Sequence, residues 1–352
     1  MKVFHIVGAR PNFMKVAPVM NALKSRKHVV QTLIHTGQHY DTNMSDVFFE
    51  QLGIPAPDVN LAVGSASHAR QTAEIMTRFE PVLLEDRPDV VLVYGDVNST
   101  VASALVCAKL GVRVGHVEAG LRSFDRTMPE EINRLVTDQL ADWLFTPSED
   151  GDINLRREGI AAEKIFRVGN VMIDSLVKLL PAAERMNRTG YPERYALVTL
   201  HRPANVDDGA GLKRILESLL EVSQDISVIF PAHPRTRKRM ADLGLRTGPL
   251  QIVDPLSYLE FLGLQSHATV VITDSGGVQE ETTYLGVPCL TLRENTERPI
   301  TISLGTNILV GRDRDKLRRE LSRILAGKAK KGTVPPLWDG HAGERIAATL
   351  AG

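Results

Sequence analysis

Short aliphatic and β-branched runs recur through this 352-residue chain with room for one helix between each pair, and no other feature limits its fold so strongly. Residues 3–7 lead into a loop, Gly8-Ala9-Arg10-Pro11, and then into a helix-like stretch from about 15 to 23. Residues 29–36 read as a second strand and 68–86 as an amphipathic helix. Residues 90–94, 99–110 and 112–117 then read as strand, helix and strand. Strands that are apolar throughout, rather than alternating, and that are joined by helices belong to a parallel sheet covered on both faces.

The pattern occurs twice. A strand at 165–168 runs into Gly169-Asn170, and the polar stretch 184–192 is the expected linker. After it come strand 196–200, helix 211–222, strand 226–230, strand 270–273, helix 278–285 and strands at 289–292 and 307–310. The expectation is an α/β protein of two Rossmann-like domains, 1–168 and 169–338, with a ligand cleft between them. A C-terminal helix within 339–352 would pack back on the first domain.

Lys plus Arg and Asp plus Glu both number 42, so no global field draws the chain to nucleic acid or an anionic membrane, and any bound anion needs local groups. No stretch approaches the roughly 18 apolar residues of a membrane span. Cys107 and Cys289 lie in apolar runs and read as core thiols in a reducing, cytoplasmic setting. There is no G-x-G-x-x-G after the first strand and no Walker A, H-E-x-x-H, C-x-x-C or G-x-S-x-G. Hydride, P-loop, zinc and serine-hydrolase chemistries lose their usual support, and neither a cofactor nor a metal is expected.

Thr273-Asp274-Ser275-Gly276-Gly277 stands where a strand ends and a helix begins. Two glycines admit close backbone approach, and the free N–H groups of a first helical turn favour a diphosphate. Ser275 adds a hydroxyl, unless it is only a helix cap. Glu281, further along the helix, is placed to meet a ribose diol. Arg10 and Lys15, in the first strand-to-helix loop, and Arg298, after a later strand, supply cations at strand carboxyl ends. Asp96 and Glu118 follow strands of adjacent βαβ units, and Glu130 opens a helix behind Pro129. Carboxylates so placed suit general acid and base work. His201 and His233 follow two strands of the second half, where an imidazole can hydrogen-bond or protonate a leaving phosphate.

Taken together, these loops resemble the non-hydrolysing UDP-N-acetylglucosamine 2-epimerases. The resemblance is carried by Gly8-Ala9-Arg10-Pro11-Asn12-Phe13-Met14-Lys15, Thr36-Gly37-Gln38-His39, Gly95-Asp96 and Gly115-His116-Val117-Glu118-Ala119-Gly120-Leu121-Arg122. It continues in Pro129-Glu130-Glu131-Ile132-Asn133-Arg134, His201-Arg202, Asp274-Ser275-Gly276-Gly277 and Thr296-Glu297-Arg298-Pro299. It implies a GT-B architecture, a homodimer, no external cofactor, and reversible conversion of UDP-N-acetylglucosamine to UDP-N-acetylmannosamine. Its substrate contacts fall on Arg10, Lys15, Phe261, Ser275, Gly276, Gly277, Glu281 and Arg298, and its catalytic groups on Asp96, Glu118, Glu130 and His201. Two places depart from the family pattern. His201-Arg202-Pro203-Ala204-Asn205 stands for His-Arg-Arg-Glu-Asn, and Tyr40-Asp41-Thr42-Asn43-Met44-Ser45 lacks the Arg-Glu-Met element associated with activation by substrate.

The implied chemistry eliminates UDP to a 2-acetamidoglucal and adds it back. The alternatives are a 2-epimerase for a related UDP-amino sugar, such as a 2,3-diacetamido uronic acid, a GT-B glycosyltransferase, and a non-catalytic UDP-sugar sensor.

Overall fold

The computed structural model describes residues 1–37 and 52–352, apart from the side chains of Arg10, Pro203 and Ala204; the sequence features at 38–45 lie outside the described residues. The chain forms two compact units, Met1–Lys178 with Pro336–Gly352, and Leu179–Pro335. The crossing point lies within the helix Val171–Glu184.

The first unit contains β1 (Lys2–Val7), β2 (Val30–His35), β3 (Val59–Asn60), β4 (Val90–Tyr94), β5 (Arg113–Val117), β6 (Trp143–Thr146) and β7 (Ile165–Arg167). They pair in parallel in the order β3-β2-β1-β4-β5-β6-β7. All five residues of β4, Val-Val-Leu-Val-Tyr, are buried, as expected for a strand with helices on both faces. The covering helices include Arg10–Lys24, His68–Glu85, Asn98–Leu110 and Pro129–Leu140. His68–Glu85 points Ile75, Phe79 and Leu83 inward at helical spacing, and Phe79 and Leu83 join Phe4, Ile6, Val91 and Val93 in the core.

The second unit repeats the design with β8 (Tyr195–Thr199), β9 (Ser227–Pro231), β10 (Gln251–Val253), β11 (Val270–Thr273), β12 (Cys289–Thr291) and β13 (Asn307–Leu309). Their order is β10-β9-β8-β11-β12-β13, again all parallel. Its largest core cluster joins Val198, Phe230 and Ile272 of the sheet to Leu212, Leu216 and Leu219 of the helix Gly209–Val222. Among the described residues no helix is long and apolar enough to cross a membrane.

One sequence expectation is corrected here. The first helix begins at Arg10, not near Lys15, so Lys15 is a helical residue rather than a loop cation. Pro11 suits a helix's opening turn, where its missing N–H has no partner to lose. Asn12 fastens that turn by accepting from the N–H groups of Gly8 (3.2 Å) and Ala9 (3.0 Å) while donating to the Tyr94 carbonyl (2.8 Å).

The C-terminal segment belongs to the first unit. Its helix Ala342–Ala351 packs on Arg10–Lys24, and the Asp174 carboxylate accepts from the free N–H groups of Ala342 (3.1 Å) and Gly343 (2.7 Å). Trp338, 2% exposed, donates its indole N–H to the Pro147 carbonyl at 2.9 Å. Trp338→Ala removes a buried ring and that bond together. It should cost about 3–5 kcal/mol, seen as thermal unfolding of the first unit lowered by roughly 10 °C.

Candidate active site

Strand order reverses once in each sheet, where β1 meets β4 and where β8 meets β11. Open α/β sheets bind ligands outside the carboxyl ends of strands at such points. The expected site residues issue from these loops and their neighbours, and they form one group in each unit.

In the first unit Lys15 and Glu118 are both buried, and the ammonium is ion-paired with the carboxylate. Glu118 holds a left-handed backbone, with φ of +76°, which is strained for any residue but glycine. Its turn is fastened by the N–H groups of Glu118 (3.1 Å) and Ala119 (3.0 Å), which share the Phe145 carbonyl. Gly95, directly after β4 at φ +66°, occupies the left-handed region that favours glycine. A Cβ would lie 2.6 Å from the Lys15 Nζ.

Asp96, 27% exposed at its side chain, is ion-paired with Arg134. The same buried guanidinium lies 2.6 Å from the Glu131 carboxylate. Glu131 also accepts from the N–H groups of Ser123 (3.0 Å) and Phe124 (2.8 Å), while Asn133 donates to the Asp96 carbonyl at 2.8 Å. Burial alone would raise the Glu131 carboxyl, but those backbone donors and Arg134 hold it below the usual range. Glu130, half-buried in the first turn of Pro129–Leu140, is in the same helix with no hydrogen-bond or ion-pair partner among the described residues.

In the second unit the loop after β11 enters the helix Gly276–Leu285. Ser275 occupies the cap position, yet its side chain accepts no capping hydrogen bond, so its hydroxyl is not committed to the helix. Asp274 organises the neighbouring loop. Fully buried, it accepts from the N–H groups of His201 (3.2 Å) and Arg202 (3.0 Å), from the Asn205 amide (3.0 Å) and from the His201 ring at 2.9 Å. Burial pushes its carboxyl up, but those donors and the His201 charge outweigh it and hold the group low. The His201 ring is 58% exposed and is held at one nitrogen.

Arg298 is packed against Gly276, where a Cβ would fall 2.5 Å from its guanidinium. Its Nε is 2.9 Å from Glu280 and its Nη1 2.5 Å from Glu297. Glu297 also meets Arg293 at 2.6 Å and Arg202 at 3.5 Å, and this cluster of guanidinium groups depresses its carboxyl strongly against the opposing effect of burial. Phe261, half-buried, lies on the helix Tyr258–Gln265 and packs against the cluster of Tyr195, Val271 and Val278. From the same helix Tyr258 donates to Glu281 at 2.9 Å.

Each group thus lies in one unit's carboxyl-end loops and the helices that follow them, and two features go beyond the sequence reading. Lys15 and Arg298, expected to meet a diphosphate, are each already paired with a carboxylate, and the side chain of Arg10 lies outside the described residues. His233 caps the helix Pro234–Asp242 by accepting from the Arg235 N–H. Sequence reasoning misses Asp274, Glu131, Arg134 and Tyr258 as working residues. Glu131 and Arg134 are detectable, since residues three apart on a helix are neighbours.

The family model described as UDP-N-acetylglucosamine 2-epimerase matches residues 21–351. A UDP-N-acetylglucosamine 2-epimerase of Methanocaldococcus jannaschii is 45% identical over 99% of both chains. A UDP-2,3-diacetamido-2,3-dideoxy-D-glucuronate 2-epimerase of Pseudomonas aeruginosa is 43% identical over 100% of this chain and 99% of its own. A crystal structure of the Methanocaldococcus jannaschii enzyme in complex with UDP-GlcNAc and UDP superposes with a TM-score of 0.93, at 45% identity and 99% coverage of each chain.

Glu281 yields a test that is independent of any ligand. Burial pushes its carboxyl up to about 7, and the Tyr258 and Gln265 hydrogen bonds only moderate the rise. A carboxyl raised on folding favours the folded state while protonated, and that advantage is lost as pH climbs through about 7. Glu281→Gln, which cannot ionise, should therefore unfold at a higher temperature than the parent at pH 8. The two midpoints should converge near pH 5. Equal midpoints at pH 8 would refute the assignment.

Proposed function

The chain belongs to the UDP-N-acetylglucosamine 2-epimerase family, and from that premise we propose that it interconverts UDP-N-acetylglucosamine and UDP-N-acetylmannosamine, an isomerase of GT-B type with two Rossmann-like units. The observation that carries the reading is the pairing of chemistries. The second unit presents a bare helix N-terminus with an uncommitted Ser275 hydroxyl, and the first presents three carboxylates, Asp96 and Glu118 just after parallel strands and Glu130 in the first turn of a helix.

The C2 hydrogen of the sugar has no adjacent carbonyl, so direct deprotonation would leave an unstabilised carbanion. Breaking the C1–O bond first, with the electron pair leaving on the diphosphate, makes C1 cationic and the C2 proton acidic. Loss of that proton to a carboxylate gives a 2-acetamidoglucal and UDP. A proton returned to the opposite face of C2, with UDP re-adding at C1, completes the inversion with no net change in atoms or electrons.

On this reading the N–H groups at Gly276 and Gly277, the Ser275 hydroxyl, Arg298 and Arg10 stabilise the departing diphosphate. His201, exposed and oriented by Asp274, hydrogen-bonds or protonates it. Phe261 and Glu281 hold the nucleoside. Lys15 fixes Glu118, and Arg134 fixes Asp96, as the carboxylates exchange protons. A homodimer in the cytoplasm is part of the same proposal and rests on the family resemblance; sedimentation of the purified protein tests the assembly.

Incubation with UDP-N-acetylglucosamine in D2O should place deuterium at C2 and yield the manno isomer, both read by NMR. Asp96→Asn and Glu118→Gln should each slow exchange by about 10²–10⁴ while retaining UDP binding. Unchanged substrate without exchange would defeat the proposal. Turnover of only UDP-2,3-diacetamido-2,3-dideoxyglucuronate, run alongside, would move it to that sugar.

A further inference from the structure

Beneath the two carboxylate-bearing turns of the first unit lies a charged group that the proposed mechanism does not use. His116, on β5, has no exposed surface. Its Nε2 is 2.8 Å from the Gly95 carbonyl oxygen and its Nδ1 is 2.6 Å from Asp138 Oδ1. The other Asp138 oxygen accepts from the Gly120 N–H at 3.1 Å and lies 2.7 Å from the Arg122 guanidinium. Arg122 in turn pairs with Glu158 at 2.6 Å.

A carbonyl oxygen has no proton to give, so Nε2 must donate. Asp138 stays ionised, because its other oxygen faces the Arg122 guanidinium and the Gly120 N–H, so Nδ1 must donate as well. Only an imidazolium donates from both nitrogens. The charges then alternate, buried His116 and Arg122 positive against buried Asp138 and the partly exposed Glu158 negative, which satisfies the requirement that buried charges be paired.

We propose that His116 donates from both ring nitrogens as an imidazolium and that, with Asp138, it is a positioning pair for proton transfer, holding at once the turn that carries Asp96 and the turn that carries Glu118. The geometry is direct. The Gly95 carbonyl immediately precedes Asp96, and the Gly120 N–H closes the turn begun by Glu118. Both turns are left-handed, with φ of +66° at Gly95 and +76° at Glu118, and at Glu118, which is not a glycine, that backbone persists only when its surroundings hold it. The inference rests on the reading that Asp96 and Glu118 perform the acid and base steps.

Two measurements test it. In ¹⁵N-histidine-labelled protein at pH 7.5, long-range correlation spectra should show both His116 ring nitrogens protonated, the signal being assigned by its loss in His116→Gln and its shift in Asp138→Asn. In C2 exchange assays, His116→Gln should lower kcat by about 100-fold, the loss typical of a small misplacement of a catalytic group, with KM within about threefold of the parent. Asp138→Asn, in which a neutral His116 still donates Nε2–H to Gly95 and accepts from the new amide, should keep at least about a tenth of kcat.

A bare Nδ1 in the parent protein overturns the proposal. So does His116→Gln with parental kcat, or with a change in KM alone. Should His116→Gln fail to fold, the spectrum of the parent and the kinetics of Asp138→Asn decide. If the parent shows no C2 exchange, the epimerase reading falls, while the ring-nitrogen spectrum still settles the charge on His116.

Discussion

A parallel sheet whose strand order reverses once must send the loops on either side of the reversal in opposite directions, and a crevice is left above the carboxyl ends of the two strands. Both sheets here obey that constraint, at β1 beside β4 and at β8 beside β11. Everything with chemical character depends on it. Lys15, Asp96 and Glu118 descend from β1, β4 and β5, and His201, Ser275 and Arg298 from β8, β11 and β12. The helices that begin at these loops aim their unpaired N–H groups the same way, so anion-binding and acid–base groups need no further device to reach the carboxyl end of their sheet.

The second organising influence is that buried charge must be answered locally in a chain whose net charge is zero. Lys15 answers Glu118, Arg134 answers both Asp96 and Glu131, and Arg298 answers Glu280 and Glu297. Two glutamates of the second unit display the rule applied and withheld. Glu297, ringed by Arg202, Arg293 and Arg298, is held strongly ionised despite burial, whereas Glu281, whose hydrogen-bond partners among the described residues are the neutral Tyr258 and Gln265, has its carboxyl pushed up to about 7. These acids lie close in sequence, and their difference is set by whether a cation is built in beside them.

Much of this is legible in the sequence, and the failures have physical causes. The apolar runs of β1, β4, β8 and β11 announce themselves because strands buried on both faces read as continuous hydrophobic segments. β10 and β6 escape notice. The former has three residues, none of them buried, and the latter opens on Trp143, which is only half-buried, and so offers a run of just three buried residues where β11 offers four. The start of the first helix at Arg10 is obscured because Pro11 reads equally as loop punctuation or as an opening helical residue, and only the Asn12 bonds to Gly8 and Ala9 decide between them. The carboxylate partners of Lys15 and Arg298 escape notice for a different reason. A lysine's partner is set by tertiary neighbours, and nothing near Lys15 in the chain points to Glu118. The Glu131–Arg134 pair, by contrast, can be read from helical spacing alone.

Dividing the proposed labour between two sheets solves an electrostatic conflict inherent in the reaction. A leaving diphosphate demands positive potential, but the step at C2 demands carboxylates, and an acid built into an anion cradle would repel the phosphate and be drawn into pairing with the cradle's own cations. In the second unit Glu280 and Glu297 are consumed in this way, buried against arginines instead of being presented to a ligand, while the helix N-terminus and Ser275 remain available. In the first unit the balance is inverted. Asp96 retains an exposed edge despite its ion pair, and Glu130 has no partner among the described residues. A single sheet would have to reconcile both polarities within one set of loops, whereas two copies of one fold let the second loop set specialise in the anion, with Arg10 the cation lent from the first.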